Sequence, residues 1–275
     1  MSETTPEPVS DLDKLPNKLS PSRAKMFENC PKSFYFRTIK KLPTKNTVAN
    51  TRGTLAHEAL EEIFKLPREE RTPEKAHTFV EPAWRKIENR DSYKDMVEPG
   101  SEEEKEMLEY AKEMVTNAFK IENIRGFDAG ALEYHAEADI DGLTLHGYID
   151  RLDEAPINGE PRAFISDYKT GKIPRDRYLD DAFFAMRIYA LLLFEETGKM
   201  PHMLRLIYLK GETAEEAVRR VVVTPELLER TRRDVNAIWR RIKTAAATGN
   251  WPTKTGPLCN FCDFKPMCPA FGGEG

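Results

Sequence analysis

Two short stretches carry residue types suited to chemistry on a phosphate. The first is Gly147-Tyr-Ile-Asp150-Arg-Leu-Asp153, and the second is Ile165-Ser-Asp167-Tyr168-Lys169-Thr-Gly171-Lys172. On a strand, side chains alternate between faces, so Asp167 and Lys169 project to one side and Tyr168 to the other. If the strand ending at Asp150 is the neighbour, two carboxylates converge at one end of a sheet. Convergent hard oxygens suit Mg²⁺ or Mn²⁺. Such an ion activates water and neutralises charge on a phosphoryl group, and Lys169 adds a cation beside that charge or helps deprotonate the water. His57, on a helix four residues before Glu61, offers an imidazole that would tilt the preference towards Mn²⁺. Taken alone, Asp-x-Lys reads as a surface ion pair, and a lone helical His as a packed or surface residue.

The cysteines form a second constellation. Cys259, Cys262 and Cys268 are spaced C-x2-C-x5-C, and Cys30 lies 229 residues upstream. One tetrathiolate site would use all four cysteines, and Cys₄ suits Zn²⁺ and iron-sulfur clusters alike. Zinc ribbons bring two close pairs, which this spacing lacks. A group joining residue 30 to the C-terminal segment would staple most of the chain into one loop, a structural role. The competing reading, four unrelated buried thiols, fits poorly with three cysteines in a Pro-rich stretch.

The elements that must position these residues follow from periodicity and turn signals. Residues 1–18 are rich in Pro, Ser, Thr and acids and predict a flexible tail. From Ser20, two short helices should meet near Cys30-Pro31. Leu55, Ala59, Ile63 and Leu66 predict an amphipathic helix that carries His57. Residues 72–123 read as helical and strongly acidic, a solvated face. The Asp141-Gly142 turn predicts a hairpin of 131–140 with 143–152, and a strand at 163–168 should follow Asn158-Gly159. Residues 178–197 predict a helix stopped by Gly198, 203–209 and 217–223 predict strands, and Thr224-Pro225 opens a helix to about 247. The expectation is an α/β fold: a single domain over 19–275, helical to 125, a mixed sheet with flanking helices over 126–249, and a cysteine-bearing tail over 250–275 completed by Cys30.

The 275 residues carry 42 Lys plus Arg against 46 Asp plus Glu, a net charge of -4, and 40% are hydrophobic. This composition excludes global disorder and a nucleic-acid coat held by bulk charge. No apolar run approaches the roughly 18 residues of a membrane span. The acidic, Pro-rich start does not resemble a signal peptide, so a cytoplasmic protein with no membrane partner is expected. No G-x-x-x-x-G-K-[ST] phosphate loop occurs, so any helicase or recombination motor would be a partner protein. Basic residues from Arg23 to Lys41 interleave with Phe27, Phe34, Tyr35 and Phe36, and Arg230 to Lys243 form a second basic run. Either could track a single strand, although core packing is the preferred reading of the aromatics.

Together the motifs resemble the RecB-like family of PD-(D/E)xK nucleases, in its iron-sulfur branch with AddB-type and CRISPR-associated single-strand exonucleases. The resemblance spans residues 20–271 and implies a restriction-endonuclease-like core. Gly53 and His57 match its G-x-x-x-H helix, Asp150 its G-x-x-D-x-x-D strand, and Asp167 with Lys169 its D-x-K strand. It implies that His57, Asp150, Asp167 and the Tyr168 carbonyl hold Mg²⁺ or Mn²⁺, with Lys169 as the catalytic lysine. It further implies that Cys30, Cys259, Cys262 and Cys268 hold a 4Fe-4S cluster, with Zn²⁺ the less favoured occupant. Tyr189 matches the tyrosine of the Q-x-x-x-Y helix, but Ala185 stands where the family has Gln. Glu137 is a candidate auxiliary carboxylate. The expected function is a metal-dependent exonuclease on single-stranded DNA or DNA ends, in recombination, repair or phage DNA processing. The alternative is a weak or inactive DNA-binding subunit with the same fold and cluster.

Overall fold

The computed structural model describes residues 10–275. Its longer helices are α1 (Pro21–Asn29), α2 (Val48–Phe64), α3 (Glu102–Ile121), α4 (Phe184–Thr197) and α5 (Pro225–Thr248), and its strands are β1 (Ala131–Ile140), β2 (Leu143–Ile157), β3 (Glu160–Lys169), β4 (Met203–Tyr208) and β5 (Val218–Val222). The strands form one sheet in the order β1-β2-β3-β4-β5. β2 and β3 are antiparallel, β3 and β4 parallel, and β4 and β5 antiparallel, so the sheet is mixed as expected. The parallel step requires a crossover, which α4 supplies. No helix among the described residues is long and apolar enough to cross a membrane.

Local chemistry explains the boundaries. Thr47 caps α2 by accepting from the Asn50 N–H, and Ser101 caps α3 through the Glu104 N–H, each satisfying an orphan donor of the first turn. Asp141 and Gly142 have φ of 55° and 82°, and Asn158 and Gly159 have 53° and 83°. These left-handed pairs are the turns that match strand twist in two-residue hairpins. Gly198, at φ 69°, ends α4.

The chain forms two compact units. One comprises 10–44, 137–147 and 226–275; the other comprises 45–136 and 148–225. In the first unit Phe27 and Phe34 are buried against Trp251, with ring centroids 6.4 and 5.8 Å from its indole. The aromatics are therefore core, while Lys32 and Lys40 lie over the Tyr35 ring. In the second unit Leu55, Ala59 and Ile63 of α2 pack with Ala111 and Val115 of α3, and with Tyr168 and Ile207 of the sheet.

Several expectations need correction. Of the tail expected over 1–18, residues 1–9 lie outside the described residues, but the remainder is fixed. Asp11 is buried, accepts from Trp251 Nε1 at 3.0 Å, and precedes a 3-10 turn at Leu12–Lys14. Composition cannot show such a long-range anchor. The acidic face is not wholly solvated: Glu104 is buried and accepts from Trp84 Nε1 at 2.6 Å and the Gly100 N–H at 2.7 Å. The helix expected over 178–197 is split at Phe183 into Leu179–Ala182 and α4. The segment after residue 250 winds into 3-10 turns at Pro257–Phe261, Lys265–Met267 and Pro269–Phe271.

Candidate active site

The acidic pair is assembled by strand register. Arg151 lies opposite Ser166 in the antiparallel β2–β3 ladder. Asp150 and Asp167, each one residue further along, therefore reach the same end of the pair on a common face. The Tyr168 N–H donates to Asp150 Oδ2 at 3.3 Å, which fixes one carboxylate to the neighbouring strand. His57 arrives from α2, with Nδ1 at 3.0 Å from Asp150 Oδ2. Lys169 Nζ stands 2.5 Å from Asp167 Oδ2. The angles of that ion pair do not make a hydrogen bond, so this buried carboxylate oxygen keeps unused acceptor capacity. Tyr189, on α4, is near enough that the charges of Asp167, Asp150 and Glu133 add to burial in raising its phenol pKa.

The two aspartates are driven apart in acidity. Burial opposes charge on Asp150, but His57, Lys169 and the Tyr168 N–H hold its carboxyl below the usual range. Burial and the Asp150 charge together push Asp167 up, against the pull of Lys169 and His57. Burial disfavours the His57 imidazolium, yet the Asp150 hydrogen bond and charge raise its pKa above the ordinary value. Among the described residues no three His, Cys, Asp or Glu side chains stand at ligand spacing. Instead, His57 pairs with Asp150 and Lys169 with Asp167. The donor set of imidazole, two carboxylates and an under-used oxygen nevertheless fits a hard divalent cation.

His57 lines a cavity of about 850 Å³ with Gly53, Glu58, Glu61, Glu133 and Thr170. A Cβ at Gly53 would lie 2.9 Å from Thr170 Oγ1. Any side chain there would force the Thr170 hydroxyl to shift, because α2 approaches the residue following Lys169. Glu133, missed by the sequence reading, is the third residue of β1 and has φ 45°. Desolvation, with the charges of Asp150 and Glu61, raises its pKa to about 7 although His57 opposes the shift. Glu137, the auxiliary acid expected from the sequence, is not gathered here. It belongs to the other unit, where its carboxylate takes Lys18 Nζ at 2.6 Å. The two acids are four residues apart in β1, so regular alternation could not choose between them.

Beneath the site lies a buried charge network. Arg151, 1% exposed, binds Glu122 through both terminal nitrogens at 2.8 and 3.0 Å and Asp153 through Nε at 3.1 Å. It also donates to the Tyr168 hydroxyl, which in turn donates to Glu122 at 2.8 Å. Phe64, Phe127 and Tyr168 surround the guanidinium at 4.9 to 5.2 Å. Asp150 and Asp167 are thus held from behind by their chain neighbours Arg151 and Tyr168.

In the first unit, Cys30, Cys259, Cys262 and Cys268 are all free and half-buried. Burial pushes the Cys262 thiol up, and the other three cysteines add to the shift. All four line one cavity, although among the described residues they do not stand at ligand spacing.

Comparison with known proteins agrees with this geometry. Over 142 residues the chain is 27% identical to the Gene 69 protein of Mycobacterium phage D29, covering 51% of this chain and 48% of that protein, about half its length. The fold is similar to the crystal structure of an exonuclease-designated protein from Eubacterium rectale, with a TM-score of 0.54 at 13% identity over 95% of this chain and 93% of that one. Residues 18–269 match the family described as the PD-(D/E)XK nuclease superfamily. With its mixed five-stranded sheet, flanking helices and an Asp-x-Lys strand beside a second aspartate, the chain belongs to the PD-(D/E)XK nuclease superfamily.

Proposed function

We propose that this protein is a metal-dependent DNA exonuclease acting on single strands or DNA ends in recombination, repair or phage DNA processing. The observation that carries the reading is the convergence of Asp150, Asp167, Lys169 and His57 at one end of the β2–β3 pair. His57, the two aspartates and the Tyr168 carbonyl would hold Mg²⁺ or Mn²⁺, as is typical of this superfamily. A cation bound there supplies charge stabilisation to the phosphodiester and acidifies water. Lys169 places its ammonium beside the charge that develops on phosphate. Tyr189 closes the site from α4.

Cys30, Cys259, Cys262 and Cys268 are proposed to hold a 4Fe-4S cluster with a structural role. Their place in the lining of one cavity and their C-x2-C-x5-C spacing support it. A brown protein absorbing near about 400 nm would distinguish the cluster from zinc. Because the sequence has no phosphate loop, a helicase partner would supply any unwinding.

A second reading, a weak or inactive DNA-binding subunit, is favoured by Ala185, whose methyl group offers no hydrogen bond where the family has an amide. The deciding experiment is degradation of end-labelled single-stranded DNA with Mn²⁺ or Mg²⁺, using anaerobically purified protein beside Lys169→Ala. Metal-dependent loss of label that Lys169→Ala abolishes supports the nuclease. No cutting by brown, folded protein with either metal leaves the binding subunit.

A further inference from the structure

The same cavity that contains His57 has a cationic portion used by none of the groups above. Arg52 and Lys210 both line it, and both rest on one ring: the Arg52 guanidinium carbon lies 4.7 Å and Lys210 Nζ 5.4 Å from the Tyr110 centroid. Arg52 Nε is buried and has no hydrogen-bond partner. A buried, unfilled donor on a charged group is costly unless a ligand completes it. The cavity's acids do not fill that role. Glu58 is taken by Lys86 at 2.7 Å and Glu61 by Lys65 at 2.7 Å. Among the described residues no carboxylate pairs with Arg52 or Lys210. The positive groups are thus held in place by an aromatic ring and left without anions, whereas Glu58 and Glu61 are already engaged.

We propose that Arg52 and Lys210, seated on Tyr110, form a binding site for a backbone phosphate of the nucleic-acid strand, distinct from the phosphate that is cut. The guanidinium presents its forked donors to the phosphate oxygens and Lys210 adds a point charge. Tyr110 limits the freedom of both cations, so less order is lost when the phosphate arrives. The Thr170 hydroxyl and Asn50, in the same wall, are polar neighbours suited to the sugar-phosphate chain. This site rests on the nuclease reading for the identity of its ligand. It needs no metal, so it can be tested apart from cutting.

The test is fluorescence anisotropy of a labelled 15-nucleotide thymidine oligomer with the full chain in EDTA, titrated at several NaCl concentrations. Arg52→Ala and Lys210→Gln should each weaken binding by about tenfold at low salt and lower the log–log salt slope by about 0.7, the value for one lost phosphate contact on a single strand. Tyr110→Leu should weaken binding in the same way, and Tyr110→Phe, which keeps the ring, should bind like the wild type. An uncharged peptide nucleic acid of equal length should show no difference between wild type and Arg52→Ala. Unchanged affinity and slope in both Arg52→Ala and Lys210→Gln would overturn the site, even if the wild-type protein cuts DNA with Mn²⁺. Lost slope in these folded variants without any cutting by the wild type would instead keep the site and remove the nuclease reading. Loss of binding to the peptide nucleic acid as well would also overturn it, because the contact would then not be to phosphate. Lys210 is exposed at the end of β4, so Lys210→Gln remains informative should Arg52→Ala misfold.

Discussion

Replacing Arg151 by Met should destabilise the second unit by about 3–5 kcal/mol, because breaking a buried ion network leaves uncompensated charge behind. The structure sets the size. Arg151 is 1% exposed, and its loss strands Glu122, whose side chain is 11% exposed, while Asp153 keeps its ion pair with Arg205. At about 1.4 kcal/mol per factor of ten, this lowers the folding equilibrium constant roughly a hundred- to several-thousandfold. The effect should depend on pH. Burial works to raise the Glu122 pKa, but Arg151 and the Tyr168 hydroxyl hold it below the usual range. The network's contribution is therefore present above the unfolded pKa, near about 4.5, and is lost as pH falls through the depressed folded value. In the variant the stranded Glu122 can protonate, so the gap from wild type should be widest at pH 7 and narrow towards pH 4. Urea titration read by hydrogen–deuterium exchange of peptides within 148–169 isolates this unit from the other. A double replacement, Arg151→Met with Glu122→Leu, should recover part of the loss. A deficit below about 1 kcal/mol at pH 7, or one unchanged at pH 4, would refute this account of the network.

Other outcomes follow from single features. Gly53→Ala should cut nuclease activity several-fold by forcing Thr170 aside, and adding Thr170→Ala should restore much of it; activity assays on the two variants check this. Glu133 carries a raised pKa of about 7, so the unfolded chain releases that proton first. The wild type in EDTA should therefore lose stability as pH rises from about 4.5 to 7 relative to Glu133→Gln, seen as converging or crossing Tm values across that window. Glu104→Ala leaves the buried Trp84 indole N–H and the Gly100 N–H without their acceptor and should cost about 2–3 kcal/mol in chemical denaturation. His57→Ala should raise the Mn²⁺ concentration needed for half-maximal cutting by about tenfold or more, the scale of a lost or misoriented metal contact.

The parts of this molecule legible in the sequence are those fixed by local rules. Alternation put Asp167 and Lys169 on one face, and the two Xaa-Gly turns announced the hairpins that bring Asp150 beside them. The helical stripe through Leu55, Ala59 and Ile63 located His57. What escaped notice depends on partners far along the chain. Arg151 reads as an ordinary strand cation until Glu122, 29 residues before it, is seen to share its interior. Glu104 sits in an acidic run whose other members face water, and only the Trp84 indole distinguishes it. Asp11 belongs to a stretch of disordered composition, yet the indole of Trp251, 240 residues on, holds it in place. Glu133 and Glu137 have the same parity on β1, and the division of that strand between two units separates their roles. Nothing in the spacing marks where that division falls.

The discontinuity of the first unit bears on how the protein is made. Its parts are residues 10–44, 137–147 and 226–275, and the last of these supplies Trp251 and three of the cysteines. At ribosomal rates of about 5–20 residues per second, roughly fifty residues still have to be added after residue 225, a delay of about 3–10 s. During that interval the second unit is fully synthesised, while Phe27, Phe34 and the 137–147 hairpin tip have no complete core to enter. The nascent chain must therefore carry exposed aromatic surface for seconds. Its yield should depend more on chaperone supply and translation speed than its final stability would suggest.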